Sequence, residues 1–240
     1  MRYYYGFDLY YLILVMPAII LAAIAQFKVH SAFKKYSKVL NKQGTTGYQA
    51  AQCILQDAGI TDVRVERTSQ KGGFLNMRAS ALNDHYDPRN KVIYLSDSVY
   101  NEASIAAVSV AAHEAGHAVQ YQTGYAPVRI RGSLFPLCNF STYAAFPLAI
   151  LGIIMSIPAL ITIGIWLYTA VVAFQIVTLP VEFNASARAM TLIQKNNLLS
   201  PGEIKGGKNV LGAAALTYVA AMLMTLMNLL RLILMAKGRD

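Results

Sequence analysis

The sequence is poor in charged residues, since Asp, Glu, Lys and Arg make up 14% of its 240 residues whereas hydrophobic residues make up 55%. It also has little cysteine: Cys53 lies in a polar stretch and Cys138 in an apolar one, which argues against a disulfide framework. The formal net charge is +9, but the basic residues lie beside apolar stretches and lack the interleaved aromatics of a nucleic-acid-binding module. We therefore expect no nucleic-acid partner, and we attribute the basic residues to contact with anionic lipid head groups.

Long apolar stretches are what the sequence has in abundance. Four of them are long enough to cross a hydrocarbon core of about 30 Å, namely Leu9 to Phe27, Leu134 to Met155, Pro158 to Leu179 and Val210 to Met235. The first is followed, not preceded, by a group of lysines, and it lacks the small-residue cleavage pattern of a signal peptide. We interpret it as a retained anchor and expect a multi-pass protein of the cell membrane, with the lipid bilayer as a partner.

The apolar stretches divide the chain into five predicted segments. Residues 1–27 form an N-terminal transmembrane anchor, 28–133 a cytosolic α+β segment and 134–179 a transmembrane hairpin that turns just before Pro158. Residues 180–209 return to the cytosolic side, and 210–240 form a C-terminal transmembrane or re-entrant helix. The predicted fold is a mostly α membrane protein with about four transmembrane helices and a small cytosolic α+β element.

The distribution of Lys and Arg predicts this orientation. Residues 28–134 hold 13 of them and residues 179–209 hold 4, which leaves 4 of the 21 for the other side of the membrane. Because basic residues concentrate in cytoplasmic loops, the two basic segments are expected in the cytosol. Three of the remaining four lie in the fourth apolar stretch or after it, so that a re-entrant path for this stretch stays open.

Local patterns predict the elements of segment 28–133. A helix is expected from about Thr46 to Ala58, and two short strands are expected around Val63 to Val65 and over Lys91 to Ser96. A loop marked by glycine and asparagine lies between the strands, at Gly72, Gly73, Asn76 and Asn83. Asn101 is expected to cap a second helix that runs to about Tyr121.

That second helix carries a His-Glu-x-x-His motif at His113, Glu114 and His117. Histidines four residues apart project from one face of a helix, so both imidazoles can bind a single zinc ion. A glutamate beside the first ligand can take the proton of a zinc-bound water and pass it to a leaving amine. The alternative is a chance pattern in an alanine-rich helix, but buried imidazoles and a buried carboxylate need partners.

Catalytic zinc has three protein ligands and one open position, so the motif needs a third ligand. Glu182 is the candidate, because it follows the third apolar stretch on the side of the membrane where the histidines are expected. The alternative is a solvated carboxylate near a helix start, for which Pro180 is suited.

Four further polar residues are candidates for supporting roles or substrate contacts. Ser186, one helical turn after Glu182, and the nearby Asn184 can orient a ligand through hydrogen bonds. His85 and Asp87 form a polar cluster before the second strand, where they are rival metal ligands, oxyanion-stabilising groups or parts of a turn.

The motif helix, the cluster around His85 and the segment around Glu182, spread between four apolar stretches, resemble the YugP-like membrane zinc metallopeptidases of bacteria. The chain is more distantly similar to HtpX-type peptidases and, at the helix alone, to thermolysin. The resemblance implies a zincin-like element of the gluzincin type, with His113, His117 and Glu182 as ligands of one zinc ion and Glu114 as general base. It also implies a strand at the lip of the cleft, for which Lys91 to Ser96 is the expected segment. HtpX-type enzymes have aspartate where this chain has Ser186, so the support of a ligand histidine must differ.

The sequence thus predicts a membrane-embedded zinc-dependent endopeptidase that hydrolyses membrane-associated or cytosolic polypeptides on the cytosolic side. One alternative is a non-catalytic zinc-binding membrane scaffold or accessory subunit, and a second is a small transporter or channel subunit. The apolar stretches contain almost no charge besides Arg231, which argues against the transporter. The identity of the polypeptide substrate is not predicted, and a complex with other membrane proteins stays open.

Overall fold

A computed structural model describes residues 9–68 and 84–237, so the predicted loop at 72–83 lies outside the described residues. The described chain is mostly helical and contains a small sheet. Its elements are a π-helical turn (Tyr11–Val15), α1 (Met16–Tyr36), α2 (Gly47–Asp57), β1 (Arg64–Arg67), β2 (His85–Asp87), β3 (Val92–Leu95), α3 (Asp97–Tyr100), α4 (Ile105–Gln122), α5 (Ala126–Met155), α6 (Pro158–Lys195) and α7 (Ile204–Lys237).

Four helical stretches in the described chain are long and apolar enough to cross a membrane, as predicted: Tyr11–Tyr36, Ala126–Met155, Pro158–Lys195 and Ile204–Lys237. The turn between the second and third consists of Ser156 and Ile157, and Pro158 begins α6. The expected tight hairpin is present. Its helices approach closely, since a Cβ on Gly164 would lie 2.7 Å from the Cβ of Ala149.

The alternative in which Pro180 starts a helix is wrong. Pro180 lies inside α6, which continues without interruption to Lys195. Long apolar helices tolerate an internal proline where neighbouring groups satisfy the freed backbone. Glu182 therefore lies inside a long helix, away from the unpaired amides that would attract a carboxylate at a helix start.

The contacts divide the chain into two compact units. The first comprises Met1–Phe27, Ala126–Val181 and Leu216–Asp240, and the second comprises Lys28–Tyr125 and Glu182–Ala215. The second unit contains the sheet, α2, α3, α4 and all the candidate metal ligands. The transmembrane and cytosolic limits given above stay predictions.

The sheet of the second unit has the order β1-β3-β2, with β1 parallel and β2 antiparallel to β3. The strand at Lys91 to Ser96, expected at the lip of the cleft, is therefore the central strand, and that expectation is wrong. Val92, Ile93 and Leu95 are fully buried, and apolar side chains on both faces are typical of a central strand. In the described sheet β1 and β2 are the outer strands, and β2 lies beside α4, where its Tyr86 amide donates to Glu114.

Helix α4 lies in the core of the second unit. Its N-cap is Ser104, whose hydroxyl accepts from the Ala107 amide, whereas Asn101 follows the short α3 and is not the cap that was predicted. The apolar side of α4, including Val108 and Ala111, packs into a cluster with α2 and β3. The start of α2 is fixed by a reciprocal capping box between Thr46 and Gln49. These contacts hold the helix that carries the motif.

Candidate metal centre

The two motif histidines and Glu182 come together in the second unit. His113 and His117 project from the same face of α4, one helical turn apart, while Glu182 projects from α6. The Nε2 atoms of His113 and His117 lie 3.3 Å and 3.5 Å from Oε2 of Glu182. All three ligand atoms lie within 4.8 Å of one another. The Glu182 side chain is almost fully buried, and the two imidazoles are only 13% and 12% exposed.

A glycine within the motif lets α6 approach α4. A Cβ on Gly116 would lie 2.8 Å from the carbonyl oxygen of Ala185, which is closer than real Cβ atoms come to backbone. Ala185 and Ala189 on α6 are themselves completely buried. Small residues on both helices therefore bring the Glu182 backbone close enough for its carboxylate to reach both imidazoles.

These distances fit a zinc ion. Ligands bound to tetrahedral zinc at about 2.0–2.2 Å stand about 3.3–3.5 Å apart along an edge of the tetrahedron. The distances from the two Nε2 atoms to Oε2 of Glu182 have that length. Two imidazoles and one carboxylate also form a donor set of catalytic zinc sites, which leaves a fourth position for water or substrate.

The electrostatic surroundings favour a cation at this position. Burial alone lowers the pKa of His117, but its hydrogen bond to Glu182 and the negative charges of Glu114 and Glu182 outweigh burial and raise that pKa. Two carboxylates close to the imidazoles therefore stabilise positive charge between them. A divalent metal ion supplies such a charge when the imidazoles are neutral.

Glu114 is oriented by the edge strand. The residue is only 8% exposed, and its Oε2 accepts a hydrogen bond of 3.0 Å from the Tyr86 amide in β2. The Tyr86 ring in turn packs edge-on against Tyr121 of α4, with ring centroids 5.6 Å apart. The carboxylate beside the candidate metal ligands thus has a fixed orientation.

A second carboxyl lies near Glu114. Asp84 accepts hydrogen bonds from the backbone and the hydroxyl of Ser96. Burial raises the pKa of Asp84, the Ser96 hydrogen bonds oppose this, and the charge of Glu114 adds to the rise, so that the pKa reaches about 6. Asp84 belongs to the polar segment around His85 and Asp87, but only those two neighbours were candidates in the sequence.

Two of the four supporting candidates, Ser186 and Asn184, lie near the motif histidines. Ser186 Oγ lies 3.2 Å from Nδ1 of His113, so it contacts a candidate ligand directly. Oδ1 of Asn184 accepts hydrogen bonds from Gln120 and Arg188, and Gln120 in turn contacts His117.

The predicted polar cluster of His85 and Asp87 forms part of β2 and is not among the residues grouped as candidate metal ligands, which are His113, His117 and Glu182. His85 lies in β2, where its ring packs against Tyr94 with the centroids 5.1 Å apart. Asp87 accepts hydrogen bonds from the amides of Arg89 and Asn90, as a turn residue does. The described contacts of Asp87 therefore match the turn alternative.

The sequence reasoning missed Gln120. This side chain is fully buried, and its Oε1 lies 3.0 Å from Nδ1 of His117. A signal was available, because residues three apart on a helix are neighbours and Gln120 follows His117 by three.

The geometry can be set beside known proteins. Residues 11–237 match the model of the family described as "Putative neutral zinc metallopeptidase". The chain belongs to this family. It is also 44% identical over 231 residues to "Putative membrane protease YugP" of Bacillus subtilis (strain 168), a match that covers 96% of this chain and 98% of that protein. No solved structure shows a significant match.

Membership of the zinc metallopeptidase family confirms the resemblance found in the sequence and implies zinc as the metal. Because peptidases act on polypeptides, membership of the family also implies a polypeptide substrate. The four apolar helices agree with a membrane location.

Proposed function

We propose that this protein is a membrane-embedded zinc endopeptidase in which His113, His117 and Glu182 bind one zinc ion and Glu114 is the general base. The convergence of the three ligand atoms next to a buried, oriented carboxylate carries the proposal. Histidine and glutamate side chains would rarely be buried in this arrangement without a metal or a proton to balance the charge.

In the proposed reaction the metal ligands hold zinc, Glu114 transfers the proton and Tyr86 orients Glu114. Bound zinc would polarise the scissile carbonyl and lower the pKa of a water molecule to about 7. Glu114 accepts the proton of that water on its carboxylate and delivers it to the nitrogen of the departing amine. The Tyr86 amide holds Oε2 of Glu114, which leaves Oε1 to handle the proton.

We propose the outer edge of β2 as the docking edge for the substrate. The Tyr86 amide donates to Glu114, so the outer edge of this strand faces the motif helix. An extended polypeptide that adds to this edge would run past Glu114 and would pair with backbone groups of the strand other than the Tyr86 amide, which Glu114 occupies. This mode of binding favours unfolded segments over folded domains.

We place the site on the cytosolic side because most of the Lys and Arg residues lie in the segments that carry it. Polypeptides of the membrane, or cytosolic chains close to it, are then the accessible substrates. The proposal can be checked with a membrane-impermeant thiol reagent and a single cysteine at exposed Lys38, after both native cysteines are replaced by serine. Labelling from the cytosolic side only is expected, and labelling of intact cells from outside would overturn the orientation.

The function is tested by Glu114→Gln, which removes the base and keeps the shape of the side chain. We expect zinc to stay bound while hydrolysis of unfolded polypeptides falls by about 100- to 10,000-fold. Zinc per chain and cleavage of a panel of membrane proteins and casein, measured on the full chain in detergent, are the readouts. The exposed Glu102→Gln variant is the matched control and should cleave like the wild type.

Two results would contradict the proposal. Unchanged hydrolysis by a zinc-loaded Glu114→Gln protein would remove Glu114 from its role as base. A wild-type protein that binds zinc but cleaves nothing on the panel would indicate a non-catalytic zinc-binding scaffold.

A further inference from the structure

A chain of polar side chains leads from His117 to a permanent positive charge. Oε1 of Gln120 lies 3.0 Å from Nδ1 of His117, and Nε2 of Gln120 donates to Oδ1 of Asn184 over 3.0 Å. Nε of Arg188 donates to the same Asn184 oxygen over 2.7 Å. The Arg188 guanidinium also lies 5.8 Å from the centre of the Tyr125 ring.

The direction of every hydrogen bond in this chain follows from Arg188. A guanidinium can only donate, so the atom of Asn184 that it contacts must be the oxygen. Because that oxygen is an acceptor, the Gln120 atom facing it must be the amide nitrogen. The other end of Gln120 is then its oxygen, which accepts, and His117 must carry its hydrogen on Nδ1.

We propose that, when zinc is bound, Arg188 acts through Asn184 and Gln120 to hold the neutral His117 imidazole in the tautomer whose Nε2 lone pair is free for the metal. A neutral imidazole carries its proton on one of two nitrogens, and only the form with Nδ1–H can bind a metal through Nε2. Gln120, Asn184 and Arg188 are thus positioning residues for a metal ligand. This inference rests on the proposed function, since it gives the tautomer a role only if His117 binds zinc.

Burial strengthens the influence of these hydrogen-bonded side chains on His117. Gln120 is fully buried, so water does not compete for its amide or reverse its orientation. Outer hydrogen-bond partners of metal-bound histidines typically contribute 10- to 100-fold to metal affinity. Gln120 contacts His117 directly, and Asn184 acts on it through Gln120. Arg188 acts from furthest away, through both of them.

The test compares four variants of the full-length protein in detergent. Gln120→Leu, Asn184→Leu and Arg188→Met each remove one member of the chain. Asn184→Asp is the matched control, because both hydrogen bonds of Asn184 use its oxygen and a carboxylate keeps that oxygen. The readouts are the zinc dissociation constant from competition with a chelator and the nitrogen-15 spectrum of labelled histidine, which shows which ring nitrogen is protonated.

We expect Gln120→Leu to raise the zinc dissociation constant by about 10- to 100-fold, with smaller rises for Asn184→Leu and Arg188→Met in that order. Asn184→Asp should bind zinc as well as the wild type or better. The chain has only four histidines, so the His117 signal can be assigned by its absence from a His117→Ala protein. Its Nδ1–H signal should be present in the wild type and in Asn184→Asp and reduced in the other variants.

Wild-type affinity together with an unchanged His117 signal in Gln120→Leu would overturn the inference. Equal losses in Asn184→Asp and Asn184→Leu would also overturn it, because only the oxygen of Asn184 is required. The spectrum is recorded on zinc-loaded protein, because without zinc the Glu182 carboxylate competes for the ring proton at Nε2 of His117. A wild type without zinc affinity would refute the proposed function, whereas zinc binding by the wild type that Gln120→Leu leaves unchanged would refute the polar chain alone.

Discussion

The two histidines of the metal centre differ in what contacts Nδ1, the ring nitrogen that does not face Glu182. His113 has one hydroxyl there, Ser186, which can donate or accept, so the contact is compatible with either tautomer. His117 has Gln120, whose orientation is fixed by Asn184 and the charge of Arg188. Two proposed ligands that look equivalent in the motif are therefore supported in different ways: His113 by a hydroxyl that can donate or accept, and His117 by hydrogen bonds of fixed direction.

Replacing the ligand that the two histidines share should have the largest effect on zinc binding. In Glu182→Gln both imidazoles lose the carboxylate that lies 3.3 Å and 3.5 Å from them, so the difference between their outer contacts no longer matters. We expect stoichiometric zinc to be lost, measured as zinc per chain after gel filtration. Glu203→Gln is the matched control, since Glu203 is a buried carboxylate of the same unit that accepts from the Lys42 and Ser200 amides.

Zinc retained in Glu182→Gln but lost in His85→Ala would reverse the assignment of the third ligand. His85 lies in β2 against Tyr94, so we expect His85→Ala to keep its zinc.

A change in the spacing of α4 and α6 should weaken both histidine sites together. In Gly116→Ala the new methyl group would lie 2.8 Å from the Ala185 carbonyl oxygen, so one helix must shift. We expect a loss of about 1–3 kcal/mol in the free energy of unfolding and a weaker zinc site, measured by thermal unfolding and chelator competition.

Gly212→Ala in α7 is the control for this shift, because its Cβ would meet no atom within 4 Å. That variant should be neutral or more stable by up to about 1 kcal/mol, the difference in helix propensity between the two residues. A Gly116→Ala protein with wild-type stability and zinc affinity would show that the close approach is not needed.

The smallest effect is expected from Ser186→Ala, which leaves His113 without its hydroxyl contact. We expect the zinc dissociation constant to rise by less than about tenfold, at or below the low end for such partners. The measurement is chelator competition, run in parallel with Gln120→Leu. A larger loss in Ser186→Ala than in Gln120→Leu would reverse the comparison between the two histidines.

Features that depend on neighbouring residues were predictable from the sequence. The pairing of His113 with His117 follows from helical spacing, the hairpin from Pro158 between two apolar stretches, and the spanning helices from length and hydropathy. Glu182 could be predicted for a different reason. A chain expected to cross the membrane returns to a defined side, which restricts where a third ligand can lie.

Features that depend on distant parts of the chain were not predictable in the same way. Gln120 and Asn184 are 64 residues apart, and no local pattern pairs them. The strand at Lys91 to Ser96 was placed at an edge, although its continuous apolar run, Val92 to Leu95, is typical of a central strand. The cap of α4 is Ser104 because Asn101 belongs to the end of a separate short helix, which the sequence pattern did not separate.

The most direct test of the central claim is the X-ray absorption spectrum at the zinc edge of the purified full-length protein, with zinc per chain determined on the same sample. We predict one zinc ion per chain with two imidazole ligands, the remaining ligands being oxygen at about 2.0–2.2 Å. Sulfur in the coordination shell, a third imidazole or the absence of bound zinc would contradict the assignment of His113, His117 and Glu182.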